Sequence, residues 1–340
     1  MLVFAIETSC DETSICLMKN NKIIKHITHS QEIHSIHGGV VPELASRSHL
    51  EKLQEMTIKL FKEEDVNPYK IDVFAATCGP GLIGSLLVGS TFAKSLAISY
   101  NKPFFPVNHL EGHILSTSFN NNIKYPNLNL LLTGGHTQIY LMKNENNIRL
   151  LGETMDDAVG EAFDKVAKLL ELKYPGGSEI EKKASEGDEN SYNLPKPLIN
   201  ENNYNFSFSG LKTHINLLVK KNNLNGNFIQ DLSASFQKTV SQIIITKLDK
   251  GLDKLHKKGI SIKSLSVVGG VSNNNYIRKK LENLFERKNI EIYFPLKEMM
   301  SDNAAMIAWV CIKKFDNSKK DIFFKPDSRL QIKNIQEVKV

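Results

Sequence analysis

The chain has 340 residues, 41% of them apolar and 24% charged. These are ordinary globular values, which exclude a disordered or fibrous chain, and at roughly 100–200 residues per domain the length suggests two lobes. Lys and Arg number 43 against 37 acids, a net charge of +6, which permits a nucleic-acid partner without demanding one.

The chain opens with a short apolar strand, Leu2–Ile6, which runs into the polar turn Glu7-Thr8-Ser9-Cys10-Asp11-Glu12-Thr13. Acids follow the apolar run at once, so no signal peptide is expected. Ser14–Met18 and Lys22–Thr28 read as further strands. Pro42 and Glu43 open a long amphipathic helix to about Glu63, with Leu50, Leu53, Met56, Ile58 and Leu60 as its expected buried face. The strand Asp72–Thr77 enters Cys78-Gly79-Pro80-Gly81 and a helix from Leu82. Leu82–Ile98 contains Ser85, Ser90 and Lys94 and is too short to span a bilayer. A strand ending near Val107 precedes a helix from about Leu110.

The pattern then restarts. Leu128–Leu132 is apolar, Thr133-Gly134-Gly135-His136-Thr137 is a polar turn, and Gln138–Met142 alternates as a strand. Helices are expected at about Asp157–Leu172 and Asp231–Lys258. The buried strand Leu265–Val268 enters Gly269-Gly270-Val271-Ser272 and a helix from about Asn274. Residues 120–129, 186–203 and 200–205 read as loops. The strand–turn–strand opening thus occurs at residues 2–18 and again at 128–142, which suggests a duplicated α/β fold with a cleft between two like lobes.

Gly79-Pro80-Gly81-Leu82-Ile83-Gly84 matches GxGxxG, but Pro103–Val107 supplies no acid where a dinucleotide site needs one. A tight turn with close helix–strand packing accounts for the glycines. His109-Leu110-Glu111-Gly112-His113 carries more chemistry. Residues four apart share one helix face, so both imidazoles can reach one metal ion. Glu111 lies about 200° around the helix from the first histidine, whereas a zinc peptidase of the H-E-x-x-H type places its base beside that ligand. Packing or capping would account for the pair equally well without a third ligand. Asp302, in Met300-Ser301-Asp302-Asn303 at a helix start, is the candidate, and a plain N-cap is its other reading. Two histidines and a carboxylate suit iron(II) or zinc. The four cysteines form no CxxC pair, so no structural zinc site or disulfide framework is indicated. The Gly-Gly turns at 134–135 and 269–270 can bring backbone N–H groups to a phosphate or carbonyl. Asp164-Lys165 and Glu181 are also compatible with a solvated face and a helix-dipole role.

Together these residues resemble a known family. Asp11-Glu12-Thr13, His37-Gly38-Gly39-Val40-Val41-Pro42-Glu43, Gly79-Pro80-Gly81, His109/His113, Gly134-Gly135-His136-Thr137, Gly160–Lys165, Ser207-Phe208-Ser209-Gly210-Leu211-Lys212-Thr213, Gly269–Asn274 and Asp302-Asn303 occur in the order of the bacterial-type tRNA N6-adenosine threonylcarbamoyltransferases (TsaD), over about residues 1–315. The resemblance implies the duplicated actin/Hsp70/sugar-kinase (ASKHA) fold with a nucleotide-binding cleft. Its lobes would be residues 1–125 with about 301–325, and residues 126–300. It implies transfer of threonylcarbamoyl from threonylcarbamoyl-AMP to N6 of adenosine-37 in tRNAs reading codons that begin with A. His109, His113 and Asp302 would hold one Fe(2+) per subunit, with zinc as the alternative. Leu131, Leu132, Thr133, Gly134 and Gly135 would contact the activated threonylcarbamoyl group. Asp164, Gly177, Glu181 and Asn274 would hold its adenosine part, and Asp11 and Glu12 would line the reacting end. TsaB-like and TsaE-like partners, a cytoplasmic location and no membrane contact are implied as well. Three positions depart from the family pattern: Thr133 for Ser, Glu181 for Asp and Asn275 for Arg. A sugar- or acetate-kinase-like phosphotransferase, or a non-catalytic nucleotide-binding scaffold, would share the fold, but neither needs the metal ligands. Lys279-Lys280 and Lys313-Lys314 are candidate RNA contacts.

Overall fold

The computed structural model describes residues 1–37, 39–316 and 321–332. Gly38 of the His37–Glu43 motif and the side chain of His37 lie outside that description. Among the described residues the chain divides into two compact units, residues 1–120 with 295–332, and residues 121–294.

The first unit is built on β1 (Leu2–Glu7), β2 (Glu12–Lys19), β3 (Lys22–Ser30), β4 (Val73–Gly79) and β5 (Phe104–Asn108), in the sheet order β3-β2-β1-β4-β5. β1 pairs antiparallel with β2 and parallel with β4, which it meets at Val3↔Val73. Its helices are α1 (Ile33–His37), α2 (Pro42–Glu63), α3 (Ile83–Ser99) and α4 (His109–Ser116). The second unit repeats the plan with β6 (Asn127–Leu132), β7 (Thr137–Asn144), β8 (Asn147–Glu153), β9 (Ser264–Val268) and β10 (Glu291–Tyr293) in the order β10-β9-β6-β7-β8. β6 again pairs antiparallel with its successor and parallel with the later strand β9. Its helices are α5 (Val159–Leu169), α6 (Gly176–Ala184), α7 (Ser209–Lys221), α8 (Gly226–Lys257) and α9 (Asn275–Arg287). α10 (Ala304–Lys314) returns to the first unit and packs on β1, β2 and α4. The duplication expected from the two strand–turn–strand openings is therefore a repeat of strand order and pairing sense.

Each unit has its own apolar core. Phe4, Ile6, Ile15, Leu17, Leu53, Leu60 and Phe74 belong to the first, and Leu130, Phe163, Phe206, Phe236 and Leu265 to the second. β1 and β4 read as largely apolar runs because both faces of these strands are covered.

Two expectations need correction. On α2, Leu53, Met56 and Leu60 are buried, but Leu50 is 69% and Ile58 46% exposed. The inward stripe runs instead through His49, Leu53, Met56, Thr57 and Leu60, the i, i+4, i+7 spacing of a helix face. It includes two polar residues that a hydrophobicity count passes over. The glycines of the Gly79–Gly84 turn also have a more particular cause than helix–strand packing. Gly79 has φ +140°, and a Cβ there would sit 1.9 Å from the Asp327 carbonyl oxygen. The later segment lies across this turn, with the Asp327 amide donating to Cys78 O at 2.9 Å and Asn108 Nδ2 to Leu330 O at 3.0 Å. A Cβ on Gly81 would meet Ser9 O at 2.6 Å, so this glycine lets the turn press against the β1–β2 loop.

Candidate metal centre and the glycine-turn face

Asn108 ends β5 and caps α4, its Oδ1 accepting from the amides of Leu110 and Glu111. The helix therefore starts at His109, and His113 falls one turn later on the same face. The two rings lie edge to face, 4.8 Å between centroids. Asp302 precedes α10, whose cap Asn303 accepts from the Met306 amide, while the Ala304 amide donates to Ser14 Oγ on β2. Asp302 is therefore not the cap of that helix, and its Oδ1 faces the two histidines. It lies 3.0 Å from His113 Nε2 and 3.5 Å from His109 Nε2. One ligand atom from each of the three residues falls within 4.8 Å of the others.

The far side of the His109 ring is supported. Nδ1 lies 3.2 Å from Glu7 Oε2 and 3.1 Å from Ser9 Oγ. Glu7 is fully buried and accepts from the Ser9 amide and from Thr77 Oγ1. A carboxylate behind a histidine fixes the tautomer that leaves Nε2 free to ligate. His113 has no such support, since its Nδ1 is buried with no hydrogen-bond partner among the described residues. Burial opposes charge on His109, but Asp302 and Glu7 together push it up to about 9. Burial likewise opposes charge on Glu7, and His109 outweighs it and lowers the carboxyl. Burial holds His113 below the usual imidazole range. Asp302 and Glu7 thus favour a proton on His109, which a metal ion at Nε2 would have to displace. Two imidazoles, a carboxylate and an outer carboxylate form a donor set that fits a divalent transition metal.

Asp11 and Glu12 sit in the β1–β2 loop and at the start of β2. Burial, followed by the charges of Asp302, Asp11 and Glu7, pushes the Glu12 carboxyl well above its ordinary range. Glu111 lies on another face of α4 and pairs with Lys314, which keeps it from a base role at the metal. That pairing also commits Lys314, and Lys313 lies over the Trp309 ring at 5.2 Å.

The residues expected to hold substrate lie in the second unit. Leu131 and Leu132 are fully buried strand residues, so they can offer a ligand only their backbone. The Thr133–His136 turn rests on the start of α5: the amides of Gly160 and Glu161 donate to the carbonyls of Thr133 and Gly134, both at 3.2 Å. Gly269, at φ +91°, would place a Cβ 2.4 Å from Leu132 O, so it brings the two glycine turns together. Gly134, Gly135, Gly177 and Gly270 face open space, with nothing within 4 Å of where a Cβ would stand. Asp164 Oδ1 accepts from the Gly176 amide at 2.7 Å, and Glu181 Oε1 from the amide and side chain of Asn275 at 2.7 and 3.1 Å. Asn274 caps α9 through the Ile277 amide and donates to Gln237. The structure thus brings Asp164, Gly177, Glu181 and Asn274 to neighbouring helix starts and assigns three of them a capping or turn-bridging bond. Glu7, Ser9, Gln31, His34 and His49 were not anticipated. The signal for Glu7 was a carboxylate closing an otherwise apolar strand.

Comparison with known proteins bears on these groups. A family model described as tRNA N6-adenosine threonylcarbamoyltransferase matches residues 22–309. A protein of that name from Thermosipho africanus is 44% identical over 93% of this chain and 94% of its own length. One from Pelagibacter ubique is 46% identical over 92% and 90%. One from Rickettsia massiliae is 41% identical over 98% of both. Among solved structures, HypF from T. kodakarensis is similar with a TM-score of 0.61, at 12% identity over 92% of this chain and 47% of its own. The activator of the 2-hydroxyisocaproyl-CoA dehydratase from Clostridium difficile gives 0.51, at 17% identity over 92% and 95%. At such identities the structures show the fold alone, which is of the actin/Hsp70/sugar-kinase type.

Proposed function

The chain belongs to the tRNA N6-adenosine threonylcarbamoyltransferase family, and on that footing we propose that it moves threonylcarbamoyl from threonylcarbamoyl-AMP to N6 of adenosine-37 in tRNAs reading codons that begin with A. N6 attacks the carbamoyl carbon, the new C–N bond replaces the C–O bond to phosphate, AMP leaves with the electron pair, and N6 gives up one proton. The target base lies in a loop, where it can be splayed out of the stack.

His109, His113 and Asp302 would hold the metal, iron(II) by family likeness and zinc by the same ligand chemistry. A divalent cation there supplies Lewis acidity for a carbonyl attacked by a weakly nucleophilic exocyclic amine. Glu7 and Ser9 hold the His109 ring so that Nε2 is presented with Asp302. Asp11 and Glu12 are the carboxylates available for the N6 proton. A cation beside them would draw Glu12 back toward its ionised form, against the burial and the three carboxylates that now raise it. On the second unit, the open Gly134, Gly135, Gly177 and Gly270 backbone would receive the adenylate, and the N–H groups of the turns suit its phosphate. The observation that carries the reading is the convergence of His109, His113 and Asp302 within 4.8 Å in a chain of this family. A kinase-like or scaffold role has no use for that donor set.

TsaB-like and TsaE-like proteins would be the partners, and the cytoplasm the location. No helix among the described residues is long and apolar enough to cross a membrane. The test is metal analysis beside a transfer assay reconstituted with both partner types. One metal ion per chain and threonylcarbamoyl-adenosine in the digested tRNA are expected. His109→Ala should lose both, and full metal stoichiometry in that variant would refute the assigned ligands.

A further inference from the structure

Asp11 lies in the β1–β2 loop and Glu12 opens β2 opposite Ser30 of β3, and nothing in the sequence explains how the turn that carries the first of these carboxylates into the strand is held. One buried side chain from α2 touches the chain on both sides of them. His49 Nε2 lies 2.9 Å from the Cys10 carbonyl oxygen, and its Nδ1 lies 2.8 Å from Thr13 Oγ1. A carbonyl only accepts, so Nε2 carries the hydrogen. In the neutral ring Nδ1 is then an acceptor whose single lone pair is shared by the Thr13 hydroxyl at 2.8 Å and Gln31 Nε2 at 3.2 Å. The Cys10 carbonyl belongs to the peptide that leads into Asp11, and Thr13 follows Glu12. The imidazole therefore spans the two acids like a staple.

The roles continue away from the loop without conflict. With Gln31 Nε2 committed to His49 and to Ala45 O at 3.3 Å, its Oε1 accepts from His34 Nε2 at 2.9 Å, and His34 Nδ1 accepts from the Val41 amide at 3.3 Å. Gln31, His34 and His49 are all buried. A chain of this kind has a single direction of donation, from the Val41 amide to the Cys10 carbonyl, with both rings in the Nε2–H form. Burial favours that neutral form at His49 by lowering its proton affinity.

We propose that His49 is a positioning residue for the transfer reaction, holding the turn from Cys10 into Thr13 of β2 so that Asp11 and Glu12 face the reacting end, with Gln31 and His34 locking its ring. The inference rests on the proposed role of those two acids. It concerns neither the metal ligands nor the glycine turns.

The test uses the full chain reconstituted with its partner proteins. His49→Phe keeps the ring and removes both bonds. His49→Gln keeps a donor at the Nε2 position. Gln31→Met cuts the chain one link back. The expected result is a kcat about 10- to 100-fold lower for His49→Phe, the range that small displacements of catalytic groups produce. The KM values for tRNA and threonylcarbamoyl-AMP and the metal content should stay within twofold of the parent, and His49→Gln should recover part of kcat. Long-range 1H–15N spectra of the parent should show His34 and His49 as Nε2–H tautomers. An unchanged kcat, a rise in KM alone, or an Nδ1–H ring at His49 would each overturn the proposal. If His49→Phe does not fold, Gln31→Met and His49→Gln decide the matter by the same ratio of kcat to KM. Asp11→Asn and Glu12→Gln run alongside. Full activity in both would refute the role of the acids, whereas loss in these with none at His49 would refute the staple alone.

Discussion

Glu7 Oε2 and His109 Nδ1 lie 3.2 Å apart, on the side of the imidazole opposite Asp302. The pair joins the end of β1 to the first residue of α4, so the strand sets the angle at which the His109 ring faces Asp302. Glu7→Gln keeps the shape and loses the charge. Outer-shell changes of this kind typically cost about 10- to 100-fold in metal affinity. Competition titration with a chelator should show that loss while circular dichroism remains that of the parent.

Two glycine substitutions should separate folding from binding. Gly79→Ala forces a Cβ onto the Asp327 carbonyl at φ +140°, and strain of this kind costs on the order of 1–3 kcal/mol. Gly134→Ala meets nothing within 4 Å and should leave stability within about 0.5 kcal/mol of the parent. Urea unfolding should therefore register the first variant only. Calorimetric titration of threonylcarbamoyl-AMP into Gly134→Ala should show weakened binding, and an unchanged affinity would take this turn out of the adenylate site.

His26 on β3 gives the acid side of the stability curve a specific contributor. Burial lowers its imidazole to about 4, beside Ser14 Oγ at 3.0 Å and Thr28 Oγ1 at 3.1 Å. The unfolded chain binds this proton below about 6.5 and the folded one only near 4, so stability is intact above 6.5 and falls as pH drops between those values. The loss reaches at most about 3 kcal/mol, less for the exposed part of the ring. Denaturant midpoints from pH 4 to 7 should fall more steeply for the parent than for His26→Gln.

Lys279 and Lys280 are exposed on α9, with Lys280 over the Tyr276 ring at 5.1 Å. If they contact tRNA phosphates, replacing both by Ala should reduce the slope of log affinity against log salt by up to about two, since each contact contributes roughly 0.7–0.9. Binding of free adenylate should not change. Filter binding in the complete complex across a salt series measures the slope, and an unaltered slope would mark these lysines as bystanders.

Periodicity and spacing were enough to reveal the duplicated strand–turn–strand openings, the span of α2, and the fact that His109 and His113 share a face. These are local properties of strand and helix geometry, in which a side chain's direction follows from its position along the element. That Asp302 lies beside the two histidines was legible only as a candidate, because its 189-residue separation from His113 is closed by the packing of α10 on β1, β2 and α4. Three further results came only from the tertiary structure. The inward stripe of α2 includes a histidine, because Cys10 in the β1–β2 loop offers His49 a carbonyl and Thr13 on β2 a hydroxyl. Gly79 must be glycine because residue 327 passes over it. Lys314 is committed to Glu111. In each case the residue's partner lies far away in the chain, and no helical or strand period carries information about which surface will be brought against it.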